Sequence, residues 1–487
     1  MSNQPTVTSH VAGKPVDRDG PGVLLREPAS DALLAEIVLA TSDDLEAAVT
    51  AARSAFDGKW GKTNPAQRSR LLHKFADLIE RDCDTLAEME SRNIGKAIRE
   101  VSAEVSQASE ILRFYASIAG QDPGGARRLN GSVLHYSVSV PTGVCAQIVP
   151  WNYPLMMAVW KLAPALAAGC TVVLKPDPLT PLTTVRLAEL AGEAGFPPGV
   201  VNVLIGDGPT LGAQLVTHPG VDKVAFTGST KTGAEIMRLA GSPVKRVSLE
   251  LGGKSPNLIF ADANLDDAIP AAVWSIMGSA GQSCEARSRL FVQREVCDEV
   301  VSRLVERTRR LKVSDPLDPN TEVGSLISRD HRYKVHAHVE RALTDGGELL
   351  TGGFIPNGPG AFYTPTVVAG LDNTSVLGQE EVFGPVLLVA PFDDEDDAVR
   401  LANDTRYGLM ASVWTNDPAR AHRVANRIMA GTISINHPYT SFPGVPFGGF
   451  KQSGFGRELG HRTLELYSEV RSVLTWVGSR PSSPFEP

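Results

Sequence analysis

Glu250 and Cys284 each sit in a glycine-framed segment, Glu250-Leu251-Gly252-Gly253-Lys254 and Gly281-Gln282-Ser283-Cys284, 34 positions apart. A thiol and a carboxylate held on tight turns are the pair that thioester chemistry needs, one to carry an acyl group and one to release it with water. Upstream, Phe226-Thr227-Gly228-Ser229-Thr230-Lys231-Thr232-Gly233 reads as a strand entering a helix through a glycine turn. Backbone N–H groups at a helix start bind phosphate, and glycine lets the ligand approach closely. The segment is neither a Walker loop nor Gly-x-Gly-x-x-Gly, so alone it is explained as well by a structural turn. Together the three segments point to a cofactor-dependent enzyme working through a covalent cysteine.

Each residue also has a plainer reading. A lone cysteine is more often a small buried hydrophobe than a nucleophile. Cys284 is set apart by Gly278, Gly281 and Gln282 before it and Glu285 and Arg287 after it, a polar setting rather than an apolar stripe. A free thiol is only slightly ionised at neutral pH and needs a helix N-terminus, a positively charged cofactor or a base. Cys83, Cys145, Cys170 and Cys297 fall in helix or strand patterns and read as structural. Glu250 ends an alternating segment and abuts two glycines, a better place for a base than for a solvated surface acid. Glu381, beside Phe383 and a Gly-Pro turn, is either a second such carboxylate or half of a surface acidic pair. Asn152, in Pro150-Trp151-Asn152-Tyr153-Pro154, has amide donors suited to an oxyanion, although a turn asparagine is the commoner case. His331, His336 and His338 read as solvated residues of a polar helix; they offer neither a Cys–His dyad nor a good metal site, and no metal is expected.

At 487 residues the chain is long enough for two or three domains. Its net charge of −8, from 47 basic and 55 acidic residues, argues against a nucleic-acid or anionic-membrane partner. Five scattered cysteines form neither a disulfide framework nor a zinc spacing, which fits a reducing, cytoplasmic setting. Residues 1–13 are polar and lack an apolar signal core. The most apolar long stretch, 154–174, contains Lys161, Pro164 and Gly169, and so predicts a buried helix, a break and a buried strand rather than a membrane span.

Periodicity predicts helices over 42–56, capped by Ser42, from Asn64-Pro65 onward, and over 83–117. From residue 142 short apolar strands (144–149, 171–174, 200–205, 223–226) alternate with helices (154–168, 181–194, 211–217, 229–239), the rhythm of a doubly wound parallel sheet. A second α/β block is expected over 256–450, with strands at 257–260, 288–292, 386–391, 411–414 and 432–435. Segments 134–140 and 470–477 fit neither block and read as exposed strands that pair with something, ahead of a disordered tail over 478–487.

In conjunction, Pro150-Trp151-Asn152-Tyr153-Pro154, Lys175-Pro176, Phe226-Thr227-Gly228-Ser229, Glu250-Leu251-Gly252-Gly253-Lys254, Gly281-Gln282-Ser283-Cys284, Glu381-Val382-Phe383-Gly384-Pro385 and Pro446-Phe447-Gly448-Gly449-Phe450-Lys451-Gln452-Ser453-Gly454 follow one another in a familiar order. The chain resembles the aldehyde dehydrogenase superfamily from about residue 20 to 478. The resemblance implies an NAD(P)-binding domain (1–121 and 142–252), a catalytic domain (253–452), both doubly wound α/β, and a small β oligomerisation element (122–141 and 453–487), hence a homodimer or homotetramer. It implies that Cys284 attacks the aldehyde carbonyl and that Asn152 and the Cys284 N–H hold the oxyanion. Hydride transfer to the nicotinamide then leaves a thioester, which Glu250 hydrolyses through water, with Lys254 supporting the site. Lys175 and Glu381 match the ribose-contacting positions, Ser229 the pyrophosphate contact and Phe383 the nicotinamide neighbour. Trp151 lines the cofactor cleft, and Phe226, Gly228, Gly233, Leu251 and Gly252 belong to the cofactor-binding motifs.

Tyr153, Met157, Trp160 and Phe447 match the family's tunnel positions and imply an aromatic, apolar channel for aliphatic or aromatic aldehydes. Glu285, less usual after the nucleophile, and the aromatic rings extend this to amino and betaine-type aldehydes. Pro178 stands where the family often has an acidic residue that favours NAD, so both NAD and NADP remain open, NAD slightly preferred, with Asp177 an acceptor only if it points inward. Two other readings stand beside this one. In a CoA-acylating relative CoA takes the acyl group, and Glu250 counts against it; a non-enzymatic protein that kept the fold would have lost the thiol or the base.

Overall fold

The computed structural model describes residues 5–18, 20, 22–121, 124–129, 131–438 and 441–478. Helix starts follow local hydrogen-bond chemistry. Helix Ser42–Asp57 is capped by Thr41, not Ser42: Thr41 Oγ1 accepts the Asp44 N–H while the Asp44 carboxylate accepts the Thr41 N–H. Only Thr41 has an acid three residues on in the place a capping box requires. Asn64 and Gln67 make the same reciprocal pair for helix Pro65–Arg81, with Pro65 at its first position.

The helix expected over 83–117 is two helices, Cys83–Ile94 and Ile98–Ile118. Gly95 ends the first at φ 80°, and a Cβ there would lie 2.1 Å from Ser325 Oγ. The break matters, because it turns Lys96 into the interior.

Five parallel strands form the centre of an eight-stranded sheet, in the order Arg246–Glu250, Lys223–Thr227, Val144–Ile148, Thr171–Lys175 and Val201–Val203. The chain winds outward from Val144–Ile148 in one direction and then returns to its other side through Lys223–Thr227. Strand order therefore reverses between these two, and a crevice opens beyond their carboxyl ends. Residues 149–153 and 228–229 lie at that crevice. The segment expected to be a single helix over 211–217 is a π turn, Gly208–Gly212, running into helix Ala213–Thr217.

The second sheet has seven strands, in the order Glu348–Thr351, Thr366–Ala369, Val386–Phe392, Arg289–Gln293, Pro256–Ile259, Met410–Trp414 and Thr432–Ile435. All pair in parallel except the edge strand Glu348–Thr351. The fold is thus mixed α/β with two wound sheets, and its central strands are buried along their length, as helices on both faces require.

The two strands that fitted neither block pair with each other. Val133–Pro141 and Ser468–Trp476 run antiparallel over nine residues, with Ala126–Leu129 on the other side. The outer strand turns Val470, Leu474 and Trp476 to the surface. The tail expected to be disordered lies, from residue 479, outside the described residues. The apolar stretch resolves into helix Pro154–Ala168, Gly169 at φ 98° and strand Thr171–Lys175. Among the described residues no helix is long and apolar enough to cross a membrane.

The second sheet is anchored by one buried cation. Arg289 donates to Lys254 O (2.9 Å), Asn373 Oδ1 (2.9 Å), Leu401 O (3.0 Å) and Ala402 O (3.0 Å). Arg289→Met leaves those buried acceptors without their donor and is expected to cost about 3 kcal/mol or more, read as a lower unfolding midpoint in denaturant.

Candidate active site

Cys284 follows a tightly wound turn. Ser279 and Ala280 adopt φ of 51° and 53°, a left-handed path that side-chain-bearing residues rarely take. Glu100 holds it there, accepting from Ser279 N (2.8 Å) and Ser279 Oγ (3.1 Å). Gly281 completes the turn at φ 72°, where a Cβ would lie 2.1 Å from Gly384 O. The Gln282 side chain accepts Ile327 N–H and donates to Ser279 O. Its backbone carbonyl accepts Asn152 Nδ2 at 2.8 Å, so an amide from the first sheet's crevice is fixed two residues from the thiol.

Asn152 is held from behind by Lys96. That ammonium, almost wholly buried, bonds both oxygens of Glu104 at 2.8 Å and Asn152 O at 2.9 Å, and lies 3.5 Å from the centre of the Tyr153 ring. Burial pushes the Glu104 carboxyl up to about 8 despite Lys96. Lys96, Glu100 and Glu104 escaped the sequence reading, since their charges resemble those of any polar helix until Gly95 bends the chain inward.

Cys284 and Glu250 line one cavity of about 260 Å³. Glu250 ends strand Arg246–Glu250, and its backbone carbonyl accepts Gly228 N–H at 3.0 Å. Its carboxylate is buried with neither oxygen bonded to protein. Burial first, then the negative charge of Glu458, raises it well above the carboxylate range. Glu458, which also lines the cavity, accepts from Lys161 Nζ, and Lys161 also donates to Thr227 Oγ1 at 2.6 Å. The Cys284 thiol is likewise pushed up, by burial and then by Glu285, Glu381 and Glu250. A carboxylate in this state can take a proton from water beside it.

On one side the cavity is walled by Trp151, Gly228, Ser229, Leu251, Gly252, Glu381 and Phe383. Ser229 caps helix Thr230–Gly241, accepting Thr232 N–H at 3.2 Å. Glu381 accepts Gly253 N–H at 3.0 Å, and a Cβ on Gly252 would lie 2.2 Å from its other oxygen. Trp151 meets the Phe383 ring edge-on at 5.2 Å and the His331 ring at 5.6 Å. His331 is therefore packed rather than solvated; its Nε2 bonds Phe383 O at 2.7 Å, and burial lowers its affinity for a proton. His336, expected to be solvated too, is half-buried, with Nδ1 3.0 Å from Tyr363 Oη.

Tyr153, Met157, Trp160 and Phe447 line the same cavity, joined by Met156, Ser441 and Glu285. Four candidates stand off the wall. The Phe226 ring is buried and lies 2.4 Å from where a Gly228 Cβ would be, and Gly233 packs on Leu251 in the same way at 2.6 Å. Lys175 ends strand Thr171–Lys175 with Nζ on Pro176 O. The Lys254 Nζ is buried without a hydrogen-bond partner, and burial together with Arg289 brings it down to about 7.

A model of the aldehyde dehydrogenase family matches residues 17–473. The chain belongs to that family. It is 45% identical to the betaine aldehyde dehydrogenase of Bacillus subtilis, over 88% of this chain and 89% of that protein. It is 43% identical to the retinal dehydrogenase 2 of Mus musculus, over 93% and 89%. An NAD-dependent aldehyde dehydrogenase from Sinorhizobium meliloti superposes with a TM-score of 0.97 at 40% identity, covering 99% of this chain and 97% of that one. The betaine aldehyde dehydrogenase of Staphylococcus aureus, solved in complex with NAD+, superposes with a TM-score of 0.96 at 37% identity, covering 99% and 97%.

The protein is accordingly an aldehyde-oxidising, NAD(P)-dependent dehydrogenase. Its own residues fit the cofactor: a capped helix start for phosphate, a glycine whose missing Cβ leaves room for Glu381, and an aromatic pair beside the thiol. Gly252→Ala displaces the end of a flexible side chain rather than backbone. It is expected to lower kcat/KM for the cofactor about 10–100-fold with little change in melting temperature, measured by steady-state kinetics and thermal unfolding.

Proposed function

We propose that the dehydrogenase is hydrolytic: Cys284 carries the acyl group and Glu250 activates the water that releases it. One observation carries this reading, the presence of the thiol and two unbonded oxygens of a buried glutamate in a single cavity. Asn152 Nδ2 has a second N–H beyond the one given to Gln282 O, and with the Cys284 N–H it receives the oxyanion. Lys254 acts from behind Glu381, whose carboxyl burial pushes up to about 7.

Trp151, Gly228, Ser229, Leu251, Gly252, Glu381 and Phe383 hold the cofactor, with Lys175 toward a ribose and Phe226 and Gly233 shaping the turn. When bound, the nicotinamide supplies the hydride acceptor and a positive charge near the thiol. NAD is preferred: Asp177 and Asp207 both act on the Lys175 ammonium, and a 2′-phosphate there meets their charge. Asp177 Oδ1 already accepts Leu179 N–H, so its contribution is repulsion more than a bond to the ribose.

Tyr153, Met157, Trp160 and Phe447 form the aldehyde channel. The two wound sheets support a division into a cofactor-binding domain (1–121 and 142–252) and a catalytic domain (253–452). The exposed outer strand supports oligomerisation through 122–141 and 453–487, as a homodimer or homotetramer. Free thiols at all five cysteines fit a cytoplasmic enzyme.

Glu250→Gln is expected to retain one burst of NADH per Cys284 while steady-state turnover falls about 10²–10⁴-fold. Because the Glu250 carboxyl is raised, its basic form accumulates only as pH climbs through that raised value, so wild-type turnover increases with pH and the variant loses this limb. Acyl-CoA rather than free acid as product, or NADH formation by Cys284→Ala, overturns the reading. Separately, kcat/KM with NADP is expected to be about tenfold or more below that with NAD, measured with one aldehyde.

A further inference from the structure

The charge of the cavity wall is one-sided. Glu250, Glu285, Glu381 and Glu458 line it, and among the described residues no lysine, arginine or histidine does. The cations near these acids lie off the wall: Arg287 beside Glu285, Lys161 on Glu458, Arg457 near Glu250, and Lys254 and Arg406 near Glu381. Glu285 lines the same cavity as Tyr153, Trp160 and Phe447, and its charge reaches the Tyr153 hydroxyl.

Glu285 directly follows the thiol residue, so its Cα is about 3.8 Å from that of Cys284 and its carboxylate reaches a group only a few bonds from a bound carbonyl carbon. Arg287 approaches one oxygen at 3.7 Å, longer than a hydrogen bond, and its guanidinium is committed to Pro438 O (3.0 Å) and Met410 Sδ (3.3 Å). Burial raises the Glu285 carboxyl, and the Arg287 charge acts against that rise. The charge is felt across the cavity, because Glu285 is among the groups that raise both the Cys284 thiol and the Tyr153 hydroxyl. An anionic aldehyde meets an acidic wall with no cation on it, whereas an ammonium meets the Glu285 carboxyl and aromatic rings.

We propose that Glu285 is a specificity-determining residue that selects aldehydes bearing a positively charged amine or quaternary ammonium a few bonds from the carbonyl. The proposal rests on the aldehyde-oxidising function given above and adds the residue that sets its substrate class.

The test uses an isosteric pair, trimethylammonioacetaldehyde and neutral 3,3-dimethylbutanal, with succinic semialdehyde as the anionic arm. The wild-type enzyme is expected to give the highest kcat/KM with the cation and the lowest with the anion. Glu285→Gln is expected to lower the cation-to-neutral ratio about tenfold or more, chiefly through KM, with Glu285→Asp falling between. An unchanged ratio in Glu285→Gln, or a wild-type preference for the neutral or anionic aldehyde, overturns the proposal. Tetramethylammonium is expected to slow alkylation of Cys284 by iodoacetamide in the wild type and not in Glu285→Gln; absence of that protection overturns it without recourse to turnover. Failure of the wild type to oxidise any of the three, with protection intact, tells instead against the catalytic reading.

Discussion

The hydrogen bond from Asn152 Nδ2 to Gln282 O joins loops that belong to different sheets. One leaves the first sheet at its crevice; the other precedes strand Arg289–Gln293 of the second. Chemistry at the thiol requires these loops to keep register to within a fraction of an ångström, and neither sheet supplies that alone. Lys96 and Glu100 reinforce the joint from one direction, the ammonium gripping the Asn152 carbonyl and the carboxylate gripping Ser279. The energetic logic is that of buried polar groups generally: removing any one partner strands the others away from water, so the network enforces a single arrangement.

Its electrostatics have a second consequence. Burial raises Cys284, Glu250 and Glu381 together, so the site at rest favours neutral over charged forms. Such a site is quiet until a ligand brings positive charge into it.

Much of this was legible in the residues. Apolar runs between turn residues located Val144–Ile148, Thr171–Lys175 and Lys223–Thr227 to within a residue, because strands covered on both faces must be continuously apolar, although Thr366–Ala369 was not among those expected, and the glycine motifs marked the turns at 228, 252 and 281. What escaped depended on single residues or on tertiary contact. Helix 83–117 is divided at Gly95, whose left-handed conformation caps the first helix through its N–H to Ser91 O and whose approach to Ser325 leaves no room for a Cβ. The first helix is capped one residue ahead of Ser42, at Thr41, because only Thr41 has an acid three places on. His331 looked solvated because its own helix is polar; its partners, Trp151 and Phe383, come from far away in the chain. The short edge strand Glu348–Thr351 left no periodic signal, as strands with a single neighbour need little.

The last strand of the small third sheet, Ser468–Trp476, has the Val133–Pro141 strand along one edge and no strand along the other among the described residues. A nine-residue ribbon that shows valine, leucine and tryptophan to water is adhesive by nature. Left without a partner strand, that edge is a template for pairing with another chain, a liability separate from the cavity lined by Cys284 and Glu250.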